Sequence, residues 1–396
     1  MRKELQFPFS PGSPLTVPPE FSELRAASPV TRVIFPTGHS GWLVSTYECV
    51  QKVLTDRRFS RAAINRPGAP VMRPIIPDSQ SVLKKDGADH VRLRKLLAPA
   101  FCASAVQGLR AKMTVTAESL LDDMTAAGPP ADLVAAFAHP LPRSLIFDVL
   151  GVPQDDHHLL EEVFSRLLSV SPDSAEEIKE ARGDLDTYMT ELIETKRTAP
   201  GDDLLSRLIS AHDNEGRLST QELKDAGWSV LLAGRGPLTF SIVNSILRLL
   251  RQPELMELLR SQPDLLPGAV EELLRMNPVA VGNAVLRIAL EDVELGEVTI
   301  RAGEAVIPAI LSANRDETVF PDADTFDIRR SPNPHLAFSK GYRYCLGARL
   351  ARLQLQIALK ALLTHFPNLA LACAESELTI RNDRVFLAPA KLPVTW

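Results

Sequence analysis

The sequence has little cysteine, no surplus of positive charge and no long apolar run near its start. Its four cysteines, at positions 49, 102, 345 and 373, share no CxxC or CxxH spacing, which argues against a zinc site or a disulfide framework and favours a reducing compartment. With 44 Lys and Arg against 49 Asp and Glu, the chain has no cation excess to neutralise phosphates, so nucleic acid is not an expected partner.

The N-terminal segment MRKELQFPFSPGSPLTVPPEF is interrupted by prolines. It contains no apolar run near the roughly 18 to 20 residues that a membrane span needs. We therefore expect no membrane association and a cytoplasmic location.

The 396-residue chain has the composition of a globular protein, and its hydrophobic fraction of 45% is enough for a sizeable core. Between about Pro153 and Leu363, apolar residues recur three and four apart in segments such as ELIETK, DDLLSRLISAH, LTFSIVNSILRLL and ELMELLRSQ. Strand patterns occur only as short islands: VTRVIF, GWLVST, DVEL and EVTI around Gly296, EAVIPAI, LTIRN and KLPVTW. The sequence predicts a mainly α fold with small β-sheets.

No repeat or low-complexity linker divides the chain, so we predict a single domain over residues 1–396. The longest helical pattern, residues 220–250, predicts a helix of about 30 residues and roughly 45 Å. A helix of that length must pass through the centre of the domain.

Cys345 lies between a loop rich in glycine and aromatic residues and the start of a helical pattern, within HLAFSKGYRYCLGARLAR. The free N–H groups and dipole of a helix N-terminus lower a thiol pKa, and a thiolate is the form that ligates a metal. Gly341 and Gly347 flank the cysteine and permit unusual dihedral angles and the close approach of a flat cofactor. A buried apolar thiol and a redox nucleophile are the alternatives.

The segment FSKGYRYCLGARLAR resembles the haem-binding loop of the cytochrome P450 family. Ser339 replaces the first glycine of that loop, and the residues that match are Phe338, Gly341, Arg343, Cys345, Leu346 and Gly347. The resemblance implies the triangular, mainly helical P450 fold, with haem b (iron protoporphyrin IX) between the central helix and the helix after the cysteine. It also implies that Cys345 is the axial iron ligand.

Other parts of the family pattern follow in order along the chain. The segment HVRLRKLLAPAF resembles the helix that offers a His and an Arg, here His90 and Arg94, to the haem propionates. Arg287 and Arg343 match two further positions with the same task. Two carboxylates at the edge of a buried macrocycle need such cationic donors.

The segment EELLR contains Glu272 and Arg275, which match the ExxR pair of the family. The resemblance implies a structural ion pair that braces the cysteine loop. The arginine that usually completes this network belongs to a segment corresponding to FPDADTFDIRR, where Thr325 occupies its position. We therefore expect a reorganised brace.

The central helix departs from the family pattern in LLAGRGPLTF. Usual members follow an Ala-Gly pair with an acid and a Thr, which hold water against the haem and relay protons. Here Ala233 and Gly234 are present, but Gly236 takes the acid position and Pro237 the alcohol position. Pro237 also predicts a kink, and Thr239 lies about 200° around the helix from it, too far to substitute directly.

This departure leaves four functions open. In oxidative coupling, the substrate's own O–H or N–H supplies hydrogen and a new bond forms without oxygen insertion. In a peroxygenase-like enzyme, Arg235 would clamp a substrate carboxylate. The third is ordinary hydroxylation with a relay of water molecules, and the fourth is a non-catalytic haem protein for gas sensing or partner binding. We favour coupling and count residues 233–237 as the catalytic segment.

A closer resemblance, to mycocyclosin synthase-like members that couple the rings of a tyrosine cyclodipeptide, is carried by WLVSTYECVQKVLTDRRFS, PADLVAAFAHPLPRSLIFDVLGVPQDD, PGAVEELLRMN and LPVTW. It implies a small aromatic, cyclodipeptide-like substrate of secondary metabolism. By resemblance the pocket is bounded by residues 61–82, 232–240, 279–285 and 385–386, with the candidate contacts Leu232, Phe240, Val281, Val385 and Phe386.

Electrons are expected from a separate ferredoxin and ferredoxin reductase, since the chain contains no GxGxxG loop after a strand and no flavin or nicotinamide domain. Positive charge near the cysteine side of the haem would receive an acidic carrier. The residues that supply it are Lys340, Arg343, Arg349 and Arg352.

Overall fold

The computed structural model describes residues 5–9, 15–72, 81–167, 175–277, 285–379 and 388–396. Helices dominate it. Those before the central helix are α1 (Glu20–Ala27), α2 (Tyr47–Thr55), α3 (Gly87–Leu97), α4 (Ala103–Gly108), α5 (Arg110–Ala127), α6 (Pro140–Leu150), α7 (His157–Leu167), α8 (Ala175–Thr198) and α9 (Leu204–Asp213). The central helix is α10 (Thr220–Leu250), and after it come α11 (Pro253–Ser261), α12 (Leu266–Met276), α13 (Ile310–Ala313) and α14 (Ala348–His365).

Helix α10 has 31 residues and begins with a capping box. The Ser219 hydroxyl accepts a hydrogen bond from the Glu222 N–H at 3.1 Å, and the Glu222 carboxylate accepts one from the Ser219 N–H at 2.9 Å. The helix packs against α6, α8 and α14. It is long and apolar enough to cross a membrane, but most of its apolar stretch is buried in protein, as in the core helix of a folded domain.

The strands are short and form three sheets among the described residues. They are β1 (Leu5–Gln6), β2 (Val30–Ile34), β3 (Ser40–Val44), β4 (Phe59–Ser60), β5 (Ala131–Asp132), β6 (Arg287–Ala289), β7 (Val293–Leu295), β8 (Val298–Ile300), β9 (Ala305–Pro308), β10 (Ala370–Leu371) and β11 (Pro393–Thr395). The largest sheet has the order β1-β2-β3-β9-β6-β4, the second has the order β10-β11-β5, and β7 and β8 form a hairpin. In the largest sheet Trp42 pairs with Val306, and Arg287 pairs with the same residue from the other side.

The predicted helices and most predicted strand islands are confirmed. Gly296 adopts a φ of +60° in the turn of the β7–β8 hairpin, a conformation in which glycine avoids the steric cost of a Cβ. Strand β6 was missed because its three residues give no alternating pattern, and only pairing with β4 and β9 makes it a strand. The island LTIRN extends beyond the described residues.

Two apolar cores position the site. One surrounds α10 and contains the buried faces of α5, α6, α12 and α14. The other lies under the largest sheet and includes Phe35, Phe59 and Phe320. The loop that contains Cys345 comes after α13 in the chain and leads directly into α14.

Candidate active site

The loop before α14 is held by its own backbone hydrogen bonds. The Cys345 N–H donates to the Phe338 carbonyl at 2.8 Å, the Ser339 N–H donates to the Leu336 carbonyl at 2.8 Å, and the Tyr344 N–H donates to the Gly341 carbonyl at 3.1 Å. Helix α14 begins at Ala348, three residues after the cysteine. The thiol is therefore fixed just before a helix N-terminus, as the sequence predicts.

The predicted lowering of the thiol pKa is wrong for this structure. The Cys345 side chain is exposed on one side, but enough protein surrounds the sulfur that desolvation raises its pKa. The Gly347 N–H and the charges of Arg94 and Arg352 oppose this rise without overcoming it. The helix N-terminus does not offset this desolvation, and a metal ion bound to the sulfur would favour the thiolate.

Two residues of the loop have positive φ angles. Gly341 has φ +71°, where only glycine is free of strain, and Ser339 has φ +63° although it carries a side chain. Gly347 has an ordinary φ of −85°, so the prediction of an unusual dihedral there is wrong. A Cβ on Gly347 would meet no described atom within 4 Å, and glycine there leaves open space beside the thiol.

Buried cations gather near the loop around a single carboxylate, that of Asp86. Arg343 donates to Asp86 and to the Lys85 carbonyl, and it is only 7% exposed. Arg287 is buried and donates to the backbone carbonyls of Val285 and Leu286, at 2.8 and 3.1 Å. The described acceptors of Arg343 and Arg287 are thus backbone carbonyls, which are neutral, and the Asp86 carboxylate. This one negative charge is shared by several cations.

Arg61 belongs to the same cluster, although the sequence placed it only at the edge of the substrate pocket. It donates to the Leu286 carbonyl at 3.1 Å. Burial, and next the charge of Arg343, lowers its pKa to about 10. The pKa of Arg287 is also well below its usual range, because of burial and then of repulsion by Arg61 and Arg343. The sequence gives no signal for this position in the cation cluster, because Arg61 is a single arginine after a short strand and belongs to no motif.

His90 and Arg94 complete the cluster from α3. His90 is buried, its ring lies edge-on to Tyr342, and burial followed by the charges of Arg343 and Arg94 lowers its pKa to about 4. Arg94 donates to the Tyr344 carbonyl at 2.6 Å. Among the described residues, His90 Nδ1 and Arg343 Nε are buried without a hydrogen-bond partner. Such a concentration of poorly compensated donors fits the two propionates of a haem.

The brace below the loop is reorganised, as Thr325 led us to expect, and its contacts are complete. Glu272 and Arg275 form a fully buried ion pair at 2.7 Å. Arg330, at the end of FPDADTFDIRR, donates to Glu272 at 3.2 Å and replaces the expected arginine. Thr325 takes part through its backbone carbonyl, which accepts from Arg275 at 3.1 Å. The missing arginine is thus supplied from five positions further along the chain.

A second acidic residue of α12 ties that helix to the loop and was missed in the sequence. Glu271 accepts two hydrogen bonds from Arg352, at 2.7 and 2.8 Å, and it contacts His335 at 3.2 Å. Desolvation opposes ionisation, but the hydrogen bonds of His335 and Arg352 hold the Glu271 pKa at about 2. Arg352 also stacks on the Phe338 ring at 4.6 Å.

The middle of α10 opens on one face. Ala233 is exposed, whereas the helix on either side of this region is almost entirely buried. Gly236, Pro237 and Phe240 are half-buried and follow Ala233 at spacings of three, four and seven, which place them on one face. Leu232 is half-buried beside them. This face, which we call the open face of α10, offers no acid or hydroxyl at Gly236 and Pro237.

Two residues of the predicted catalytic segment have other contacts. Arg235 is buried, pairs with Glu161 of α7 and stacks on Phe164 at 4.8 Å. A Cβ on Gly234 would lie 2.5 Å from Ile146, so glycine is needed for the close packing of α10 on α6. Neither position therefore gives the open face a functional group, and the catalytic role of residues 233–237 stays a prediction.

Thr239 also makes a contact within α10, where its hydroxyl donates to the Arg235 carbonyl at 3.2 Å. The sequence prediction that Thr239 does not replace the missing alcohol agrees with this geometry. Three predicted pocket residues lie outside the described residues, namely Val281, Val385 and Phe386.

Comparisons with known proteins agree with this geometry. The sequence model of the family described as Cytochrome P450 matches residues 25–392. The chain is a cytochrome P450. It is 44% identical over 391 residues to nocardicin C N-oxygenase of Nocardia uniformis subsp. tsuyamanensis, with 98% of each chain covered. It is 42% identical over 390 residues to mycinamicin IV hydroxylase/epoxidase of Micromonospora griseorubida, again with 98% of each chain covered.

A solved structure gives the same fold. The crystal structure of cytochrome P450mel 107F1, a protein with biaryl coupling reactivity, matches with a TM-score of 0.93 at 35% identity, and both chains are covered completely. The mainly helical P450 fold is confirmed.

The protein is therefore a P450 oxidoreductase of secondary metabolism with haem b held by Cys345. When bound, this haem supplies the redox chemistry that activates dioxygen. The alternative of a non-catalytic haem protein is wrong, because the family and the relatives are enzymes.

Proposed function

We propose that this cytochrome P450 catalyses oxidative coupling, the formation of a C–C or C–N bond on a small aromatic, cyclodipeptide-like substrate without insertion of oxygen. The observation that carries the proposal is the open face of α10. Its residues Gly236 and Pro237 provide neither the acid nor the hydroxyl that usual members of the family have there. Proton transfer from a positioned side chain requires a group within hydrogen-bond reach, and these two residues have none.

The polar side chains closest in sequence do not replace the missing pair. The Thr239 hydroxyl is used within the helix, and Arg235 is occupied by Glu161. Water or the substrate must therefore carry protons at this face. A substrate with an N–H or O–H group directed at the open face can supply both a proton and the hydrogen that coupling removes.

The proposed reaction balances with external electrons. Two substrate X–H bonds break and one bond forms between the two X atoms, while dioxygen takes two electrons and two protons from outside and leaves as two waters. A ferredoxin and its reductase are the proposed source of the electrons. Hydroxylation uses the same two electrons but leaves one oxygen atom in the product and releases one water.

Hydroxylation is the second candidate, because the names of two relatives that are 44% and 42% identical specify N-oxygenation and hydroxylation or epoxidation. Coupling is supported by the biaryl coupling reactivity of cytochrome P450mel 107F1, which is 35% identical. The peroxygenase-like function receives no support, since the guanidinium of Arg235 is already paired with Glu161.

The proposed docking face for the electron carrier is smaller than the sequence suggested. Arg343 is engaged with Asp86, and Arg352 with Glu271. Lys340 donates to Gln51 at 2.9 Å, and Arg349 is exposed. We therefore propose that the carrier docks near Lys340 and Arg349. The proposed location of the enzyme and its carrier is the cytoplasm.

A panel of aromatic cyclodipeptides tests the proposal. Substrates that displace an axial water shift the Soret band, and the shifted compounds are then turned over with ferredoxin, its reductase and dioxygen. A product that has lost two hydrogen atoms per new bond supports coupling. A product that has gained one oxygen atom, from every compound that binds and reacts, supports hydroxylation and overturns the proposal.

A further inference from the structure

A cavity of about 380 Å³ lies away from the haem site, between the segment before α1, the C-terminal ends of α10 and α12, and the segment after α13. Its polar lining comes largely from Arg25, Arg248 and Arg315, while Leu15 and Met276 are among its apolar lining. None of the cations assigned to the propionates lines it. Its volume falls within the range of small-molecule sites.

The charge of this cavity is not balanced by the described residues. Asp324 is the only carboxylate among its described lining residues, and it is 81% exposed and lies 3.4 Å from the Arg315 Nε. Arg248 and Arg315 are buried, at 9% and 3% exposure. Three guanidinium groups thus face one solvated carboxylate, and two of them have little access to water.

Neutral groups fix the three arginines in position. Arg248 donates twice to the Asn277 amide oxygen, at 3.0 and 3.3 Å. Arg315 donates to the Met276 carbonyl at 2.7 Å, and Arg25 donates to the Ser312 hydroxyl at 3.0 Å. Each arginine is therefore positioned without receiving a full countercharge, which makes the site pre-organised for an anion.

The electrostatic cost of this arrangement is visible in the protonation equilibria. Burial, and then repulsion by Arg251 and Arg275, lowers the pKa of Arg248 to about 10. Burial, and then repulsion by Arg248 and Arg275, lowers the pKa of Arg315 to about 9. An anion between these groups would raise the pKa of both arginines.

We propose that this cavity is a second ligand site, which binds a small oxyanion, a carboxylate or a phosphate, between Arg25, Arg248 and Arg315. Leu15 and Met276 leave room for an apolar body attached to the anion. Because Arg275 belongs to the brace with Glu272 and repels both buried arginines, a bound anion also stabilises the fold around that brace. A ligand that binds the folded state and not the unfolded chain raises the unfolding temperature.

The test uses the haem-loaded protein and three salts at equal ionic strength: sodium chloride, inorganic phosphate and sodium hexanoate. We expect phosphate or hexanoate to raise the unfolding temperature above its value in chloride, and titration calorimetry to show saturable binding. A larger effect of phosphate identifies an inorganic anion, and a larger effect of hexanoate identifies an organic acid. The Soret band should not move, because no residue assigned to the haem lines the cavity.

Variants decide whether the three arginines form the site. Arg248→Gln and Arg25→Gln should each weaken binding about tenfold or more, since each removes a charge-assisted contact. Arg25→Gln decides the question if Arg248→Gln does not fold, because Arg25 is only half-buried. Arg207→Gln is the matched control, as it removes the same charge from an exposed pair with Asp202. Equal stabilisation in chloride, a moving Soret band, or equal binding in the Arg25 and Arg207 variants would overturn the proposal.

Discussion

Ser339 combines a left-handed backbone with a buried, unpartnered hydroxyl, and replacing it with glycine should stabilise the protein. Its φ of +63° lies in the left-handed region, where a Cβ costs about 1–2 kcal/mol. Its hydroxyl is buried without a hydrogen-bond partner among the described residues, and an unsatisfied buried group costs about 1–3 kcal/mol. Glycine removes both costs but loses about 0.5–1 kcal/mol through its greater freedom in the unfolded chain.

The net expectation for Ser339→Gly is a free energy of unfolding that rises by about 1–4.5 kcal/mol. At about 2.1 cal/mol/K of unfolding entropy per residue, this corresponds to an increase in Tm of roughly 1–5 °C for a chain of 396 residues. The assay is thermal unfolding of the haem-loaded protein at one fixed scan rate, followed by circular dichroism and by loss of the Soret band.

Ser28→Gly is the matched control, because Ser28 has a φ of −157° and glycine gains nothing there. We expect its Tm to stay unchanged or to fall by roughly 1 °C. If Ser339→Gly lowers the Tm as much as Ser28→Gly does, the left-handed strain at Ser339 is not a real cost and the reasoning is refuted.

Three further predictions concern the haem site, the open face and Glu271. Cys345→Ser should abolish the strongly red-shifted Soret band of the reduced carbonyl complex, and an unchanged band would contradict thiolate ligation by Cys345. The double substitution Gly236→Glu with Pro237→Thr should move products toward hydroxylation or uncoupled peroxide, measured by mass spectrometry and peroxide release; a mere increase in rate would count against the proposed role of the open face. Because the folded-state pKa of Glu271 is depressed to about 2, its ionisation stabilises the fold above the unfolded pKa near 4.5, and this contribution is lost as the pH falls from about 5 to 2. Urea unfolding between pH 7 and 3 should show a smaller loss of stability in Glu271→Gln than in the unaltered protein.

The residues that the sequence predicted correctly belong to patterns that are local in the chain. Helix α10 follows from the helical spacing of apolar residues over 220–250. The position of Cys345 just before α14 follows from the loop motif and from the apolar spacing after it. Such features depend on residues within a few turns of one another, so a single sequence contains them. The single-domain assignment stays a prediction.

The residues that the sequence did not reveal depend on partners far along the chain. Arg61 joins the cation cluster only because β4 pairs with β6 and brings it near Arg287. Arg235 looked available to a substrate, but its partner Glu161 lies 74 residues earlier on α7. Arg330 replaces the expected arginine because it reaches Glu272 from a neighbouring loop position. Tertiary packing decides these pairings, and the spacing of residues along the sequence does not predict it.

The thiol of Cys345 shows a different limit of sequence reasoning. A helix N-terminus predicts a lowered pKa, yet the surrounding protein raises it through desolvation. The sign depends on the balance of two opposing effects, and that balance requires coordinates.

Turnover under labelled dioxygen tests the central claim most directly. The unaltered protein is supplied with a ferredoxin, its reductase and an aromatic cyclodipeptide that shifts the Soret band, in an atmosphere of ¹⁸O₂. The proposed coupling predicts that the main product has lost hydrogen and contains no ¹⁸O, while the label appears in water. Label in the main product would contradict coupling and would make the enzyme an oxygen-inserting P450.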